Sequence, residues 1–104
     1  MEEVELMTAA MTGMIVTIEG HVQGVGFRFF TREAAHDFGV NGFVSNMNDG
    51  SVYVEAFGPI PDVRDFIAYI TEKGRCGLVT RMTVKEVPYN PDYSDFTIQR
   101  LYEY

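Results

Sequence analysis

A glycine-rich stretch, GHVQGVGFR at residues 20–28, holds the residue types best suited to chemistry in this chain of 104 residues. An apolar, β-branched run precedes it and a helix-like pattern follows, which predicts a strand, a loop and a helix N-terminus. The glycines allow a tight turn and a close backbone approach to a ligand. The first N–H groups of a helix lack helical partners and attract anions, and Arg28 adds a forked cationic donor. The stretch therefore predicts an anion site.

The same loop also fits a plain flexible connection with Arg28 on the surface, and its residues alone leave both interpretations open. No Lys-Ser or Lys-Thr follows, so the stretch is not the P-loop pattern GxxxxGK[ST]. Phe29 stands where the third glycine of GxGxxG would be required, so the dinucleotide-binding pattern is excluded as well.

Asn46 is the candidate partner of the loop, because a side-chain amide both donates and accepts and can orient a water molecule. A turn asparagine bonded to its own backbone, beside Asn48-Asp49-Gly50, is the simpler alternative. Topology decides between them. If the strand after the first helix returns beside the strand before the loop, Asn46 lies near the loop mouth.

Other polar side chains carry weaker signals. His21 has the right type for a general base near neutral pH, but a solvent-facing loop histidine is the favoured interpretation. The rest are predicted to be structural or idle: His36 on the polar face of a helix, Cys76 as a lone thiol, Asp49 in a turn, and Arg32 as a helix-surface partner of an acidic residue.

The elements that must position these residues follow a β-α-β-β-α-β order with a short extra C-terminal strand. The patterns predict strands at 14–19, 42–47, 51–57, 78–87 and 96–101, a helix at 27–38 that ends at Gly39, and a second helix capped by Asp62 and ended by Gly74. This order predicts an α+β sandwich, an antiparallel sheet with both helices on one face. Residues 1–13 are predicted to be an N-terminal tail, disordered or extended, and residues 14–104 one domain.

Composition excludes several classes of function. Eight Lys and Arg against fifteen Asp and Glu give a net charge of −7, which disfavours a nucleic-acid backbone as the main partner. One cysteine allows no internal disulfide, and two histidines without a cluster suggest no metal site. No apolar run approaches the roughly 20 residues of a membrane span, and the acidic start argues against a signal peptide. A cytoplasmic protein is predicted.

Two linked motifs resemble the acylphosphatase family. Residues 20–28 match its signature G-x-V-Q-G-V-x-F-R at every fixed position. Residues 42–46, GFVSN, followed by DGSV at 49–52, resemble the family's G-[aromatic]-V-x-N…G-x-V hairpin, and Gly58-Pro59 also fits. The resemblance covers about residues 14–101. Two departures, Phe43 where tryptophan is common and Gly74-Arg75-Cys76 in place of Gly-Pro, do not touch the motifs' polar residues.

The resemblance implies a ferredoxin-like sandwich and hydrolysis of a carboxyl-phosphate anhydride to carboxylate and orthophosphate. It implies that Arg28 binds the phosphate and that Asn46 positions the attacking water. The backbone N–H groups that bind the phosphoryl oxygens would come from Val22, Gln23, Gly24, Val25, Gly26 and Phe27. His21 falls on a variable position of the signature and receives no role.

The predicted mechanism is direct attack by water, because no Ser, Cys or Asp is placed as a nucleophile and no carboxylate pair is apparent. A phosphate oxygen of the substrate is the expected proton acceptor. No metal or other cofactor is expected. The expected partners are a small acyl phosphate and the product phosphate, with the protein a monomer that binds neither nucleic acid nor membrane.

Three alternatives remain at this level. A non-catalytic anion-binding or regulatory module would keep the loop without turnover. An RNA-recognition domain shares the element order, but the acidic charge and the lack of its aromatic strand motif argue against it. A domain of a larger maturation enzyme is the third alternative, disfavoured because the chain ends soon after the fold is complete.

Overall fold

Five strands and two helices follow one another in the part of the chain that the computed structural model describes, residues 10–74 and 78–100. In chain order they are β1 (Met11–His21), α1 (Phe27–Phe38), β2 (Asn41–Asn46), β3 (Val52–Pro59), α2 (Ile60–Lys73), β4 (Leu78–Val87) and β5 (Phe96–Ile98). The predicted β-α-β-β-α-β order with a short extra strand is confirmed. Neither helix in the described ranges is long and apolar enough to span a membrane.

The strands form one sheet in the order β4-β1-β3-β2-β5. β1 pairs antiparallel with β3 and β4, and β2 pairs antiparallel with β3. The sheet is mixed rather than wholly antiparallel, because β5 runs parallel to β2. β4 ends at the edge where β2 begins, and residues 88–95 cross that edge, so β5 starts beside β2 and runs in the same direction.

β2 does not lie beside β1. The expectation that the strand of Asn46 returns next to the strand before the loop was therefore wrong. β3 lies between the two strands, so each helix forms a connection that skips one strand, as in a ferredoxin-like fold. β1 and β2 are nevertheless parallel to each other, since both are antiparallel to β3. Parallel strands present their carboxyl ends at the same sheet edge. The loop after β1 and Asn46 at the end of β2 therefore meet at one edge.

The element boundaries differ from the predicted ones by one to three residues at several strand ends, and two of the differences concern the starts of β1 and α2. β1 begins at Met11 rather than residue 14, because residues 11–13 pair with residues 57–59 of β3. Helix α2 begins at Ile60, so Asp62 lies in its first turn and is not the cap. Pro59 occupies the cap position, and Pro61 fits the first turn because N–H groups there have no helical partner to lose. Of the predicted tail, residues 1–9 lie outside the described residues, as does Cys76.

The core lies between the helices and one face of the sheet. The apolar period of α2 predicts a buried stripe of Val63, Phe66, Ile67 and Ile70; three of these are buried, and Ile67 is half-buried. Each large apolar side chain that is fully buried contributes about 1.5–3 kcal/mol to folding. Phe30 is half-buried at the rim, where its ring stacks on Tyr69 of α2 with centroids 5.7 Å apart. This packing fixes α1 over the sheet and so fixes the end of the helix that carries Arg28.

Gly42 is a position where the fold requires glycine. Its φ is +136°, and a Cβ there would lie 1.9 Å from the carbonyl oxygen of Glu55 on the neighbouring strand. We expect Gly42→Ala to lower the free energy of unfolding by about 3 kcal/mol or more, because the backbone is strained and the strands must separate. Urea unfolding measures this.

Gly58→Ala is the matched control for that variant. Gly58 is also buried in the sheet, but its Cβ would make an ordinary 3.6 Å contact with Val63 and its φ is not positive. A loss under about 1 kcal/mol is expected there. Equal losses at both glycines would contradict the steric argument.

Candidate active site

The loop at residues 22–26 joins the end of β1 to the start of α1. Gly24 and Gly26 adopt φ values of +75° and +83°, in the left-handed region that disfavours residues with a Cβ. No atom lies within 4 Å of the Cβ position at either glycine, so both are needed for backbone conformation rather than for close packing. The first backbone bond of α1 runs from the Phe30 N–H to the Gly26 carbonyl, at 3.0 Å. The preceding N–H groups of the first turn lack i−4 helical partners.

A cavity of about 150 Å³ opens at this loop. It is smaller than the roughly 300–1,000 Å³ of pockets for drug-sized ligands and suits a small group. Its lining consists of Val22, Gly24, Gly26, Phe27, Arg28, Phe29, Asn46 and Ile98. Six of the eight predicted site residues thus surround one cavity, while Gln23 and Val25 do not line it. Arg28 of α1 supplies the charge in this lining, and Asn46 of β2 supplies the amide. The other lining residues are glycine or apolar.

Arg28 lines the cavity half-buried, and within residues 10–74 and 78–100 it forms no ion pair and no side-chain hydrogen bond. Arg32, one turn later, differs. Its Nε lies 3.5 Å from a carboxylate oxygen of Glu33, without hydrogen-bond geometry, and its guanidinium lies 4.9 Å from the centroid of the Phe29 ring. Arg32 thus has the acidic neighbour that was predicted, but among the described residues its buried Nε has no hydrogen-bond partner. The structure leaves the Arg28 guanidinium as a cation available to a ligand in the cavity.

Asn46 ends β2, and its backbone pairs with Val52 of β3. Its side-chain oxygen Oδ1 is buried and has no hydrogen-bond partner among residues 10–74 and 78–100. A buried acceptor without a partner costs about 1–3 kcal/mol, so such atoms are rare unless a ligand or water meets them. The alternative of a turn asparagine bonded to its own backbone does not describe this side chain, whose acceptor is unused and which lines the cavity.

Gln23 faces away from the cavity and contacts the hairpin between β2 and β3. Its amide nitrogen donates to the carbonyl oxygens of Met47 and Ser51, each at 2.8 Å. The resemblance implied only backbone binding by this residue, and sequence reasoning missed its side chain. A polar side chain inside a glycine loop was the available indication of such a role. Its partners could not be read from the sequence, because they lie 24 and 28 residues further along the chain.

The turn residue Asp49 is structural, as predicted. Its carboxylate accepts hydrogen bonds from the Ser51 hydroxyl at 2.6 Å and from the Ser51 N–H at 2.9 Å. These two bonds, the hydroxyl first, lower the pKa of Asp49 below its ordinary value. The charged carboxylate thereby stabilises the turn that follows Asn46.

The remaining shifted groups lie on the other face of the sheet. Burial, and then a 2.7 Å hydrogen bond to Glu55, raise the pKa of Tyr53. Burial also raises the pKa of Tyr93, whose ring stacks on Phe57 with centroids 5.4 Å apart. Both tyrosines are held by packing and stay neutral at physiological pH, so neither supplies chemistry to the cavity.

Neither histidine lines the cavity, whereas two apolar side chains that were not predicted do so. His21 is exposed at the end of β1, paired with Leu78, and does not line the cavity. His36 contacts the Phe96 carbonyl and the Asp95 carboxylate, each at 3.2 Å. Phe29 and Ile98 line the cavity and were not predicted. Phe29 lies outside the buried stripe of α1 and next to Arg28 in the sequence. That position was the indication in the sequence that Phe29 could line the cavity.

Comparison with known proteins gives consistent matches. Residues 14–98 match the family model described as Acylphosphatase. An acylphosphatase of Thermotoga maritima is 42% identical over 90 residues, which covers 86% of this chain and 98% of that protein. The crystal structure of acylphosphatase from Bacillus subtilis has a TM-score of 0.80 at 30% identity, covering 85% of this chain and 98% of that chain. Full-length HypF in a phosphate- and nucleotide-bound form has a TM-score of 0.81 at 31% identity, covering 88% of this chain and 12% of that chain.

Proposed function

We propose a mechanism for this chain, which belongs to the acylphosphatase family and is an enzyme that hydrolyses small acyl phosphates. The observation that carries the proposal is the pairing of two unused polar groups on one cavity. Within the described residues, Arg28 has no ion pair and the buried Oδ1 of Asn46 has no hydrogen-bond partner. One group suits an anion and the other suits a water molecule.

The phosphoryl group binds at the start of α1. The Arg28 guanidinium and the backbone N–H groups of the loop residues that line the cavity, Val22, Gly24, Gly26 and Phe27, contact its non-bridging oxygens. The helix dipole adds partial positive charge. The backbone donors are positioned by the fold before the substrate arrives, and the Arg28 side chain adds its charge at the same cavity. These groups therefore bind more strongly as charge redistributes in the transition state, which is the requirement for catalysis rather than plain binding.

Water attacks phosphorus from the side of Asn46. The Oδ1 atom accepts one hydrogen bond from this water and holds its oxygen in line with the bond to the acyl oxygen. A new bond forms between the water oxygen and phosphorus, while the bond from phosphorus to the acyl oxygen breaks. The electron pair leaves with the carboxylate, and the water proton moves to a phosphoryl oxygen. The products are a carboxylate and orthophosphate.

The lining of the cavity supports this route over a covalent intermediate. Among the described residues that line it, none carries a hydroxyl, thiol, carboxylate or imidazole group. A nucleophile that forms a phosphoenzyme would require one of these groups. The described residues also contain no group of three or more His, Cys, Asp and Glu side chains placed to hold a metal ion. Activity without an added metal, a monomeric state and a cytoplasmic location stay predictions.

Hydrolysis in water labelled with oxygen-18 tests the direction of attack. A single turnover of benzoyl phosphate by the enzyme should place the label in orthophosphate and leave benzoate unlabelled, because water attacks phosphorus. Mass spectrometry of both products measures this, and the reaction is run with and without a chelator. Label in benzoate, a trapped phosphoenzyme, or loss of turnover with the chelator would each contradict the proposed mechanism.

A further inference from the structure

The side chain of Gln23 links the phosphate loop to the hairpin that carries Asn46. A glutamine amide has two N–H donors, and the nitrogen of Gln23 contacts two carbonyl oxygens, those of Met47 and Ser51, at 2.8 Å each. Met47 directly follows Asn46, and Ser51 directly precedes Val52, the residue that pairs with Asn46. Gln23 thus contacts the residue after Asn46 and the residue before its pairing partner, one on each side of the turn between β2 and β3.

These two carbonyls also accept hydrogen bonds within the turn of the hairpin. The Met47 N–H donates to the Ser51 carbonyl at 2.9 Å, and the Gly50 N–H donates to the Met47 carbonyl at 3.2 Å. The Asp49 carboxylate fixes Ser51 from the other side of the turn. A hydrogen bond from Gln23 to this unit therefore positions the whole end of β2 rather than one mobile loop atom.

The sheet itself supplies no direct connection between the two halves of the site. β3 separates β1 from β2, so the loop after β1 has no ladder hydrogen bond to the strand that ends in Asn46. Catalytic groups must be held within about 0.5 Å of their working positions, and an error of about 1 Å can reduce the rate about 100-fold. The two bonds from Gln23 span this gap.

We propose that Gln23 is a positioning residue: its side-chain amide sets the position of Asn46, and of the water bound there, relative to the phosphoryl group at Arg28. The inference rests on the proposed function of Asn46. This role also explains why the long side chain of Gln23 lies in a loop whose other residues, at 22–26, are valine and glycine. Neither a shorter side chain nor a carboxylate could donate to both carbonyls.

The test is a double-mutant cycle with benzoyl phosphate as substrate. Gln23→Met keeps the side-chain length and removes both donors, and Gln23→Glu keeps the shape but points an acceptor at two carbonyls. We expect each to lower kcat by about 10- to 100-fold, while the inhibition constant of inorganic phosphate changes by less than about 3-fold. In the Asn46→Ala background, the same changes should alter kcat by less than about 2-fold, because the residue through which Gln23 acts is absent.

Each other outcome is informative. Equal losses of kcat in both backgrounds would show a general structural role and overturn the proposal, as would a collapse of phosphate affinity. Thermal unfolding identifies a variant that fails to fold, in which case the second Gln23 variant decides the cycle. Gln99→Met, at an exposed position, is the matched control and should leave kcat unchanged. Failure of the proposed function would appear separately, as full activity of Asn46→Ala alone.

Discussion

Replacing Arg28 with alanine is expected to lower kcat/KM for benzoyl phosphate by about 10³-fold or more, the scale seen when an arginine that stabilises a phosphoryl transition state is lost. The guanidinium lines the cavity without a protein partner among the described residues, so no neighbour replaces its charge. Inorganic phosphate should also bind much more weakly. Steady-state kinetics with phosphate as a competitive inhibitor measures both effects.

Two further arginine variants make this result specific. Arg28→Lys keeps the charge but loses the planar fork, so an intermediate loss of activity is expected. Arg64 lies exposed on α2 and away from the cavity, and Arg64→Ala should leave both the activity and phosphate affinity unchanged. Near-normal turnover by Arg28→Ala would remove the basis of the assigned site.

Replacing Asn46 with alanine is expected to lower kcat by about 10²- to 10³-fold, with less than about a 3-fold change in the inhibition constant of phosphate. The reason is that Asn46 acts on the water, which bound phosphate does not require. The variant should be at least as stable as the parent, because it removes a buried acceptor that has no partner in the described part of the chain. Kinetics and urea unfolding measure the two effects on the same preparation.

Asn48 provides the control for that variant. It lies exposed in the same turn, two residues from Asn46, and does not line the cavity. Asn48→Ala should therefore retain the parent kcat. If Asn46→Ala instead lost phosphate affinity along with turnover, Asn46 would be a phosphate ligand and the water-positioning role would be wrong.

Local chemistry explains which predictions from the sequence succeeded. The bounds of α1 were predicted residue for residue, because the apolar period runs to Phe38 and Gly39 adopts the left-handed conformation that ends a helix. The hairpin was predictable from Asp49-Gly50, since few sequences favour a tight turn as strongly. Residue types alone left two interpretations open for the loop and for Asn46, and the roles of both, like the choice of reaction, came from the resemblance and stay predictions.

Most of the errors concern interactions between distant parts of the chain, and one, the start of α2, is local. The position of β3 between β1 and β2, and the direction of β5, depend on how connections cross the sheet, which no local pattern encodes. The start of α2 was misplaced because Pro61 suggested a break, whereas the first turn of a helix accepts proline. The contacts of Gln23 were missed for the same reason as the sheet order: its partners are close only after the hairpin packs against the loop.

The separation of β1 from β2 by β3 has a consequence for how activity arises during folding. The loop and Arg28 form a local segment with β1 and α1, but Asn46 joins them only when the central strands have paired in the correct register. Contacts between segments far apart in sequence form slowly, since the chain must first be closed into a large loop. Partly folded molecules can therefore contain helix and hairpin without a complete site. Recovery of turnover during refolding would report the assembled sheet, not the formation of its local parts.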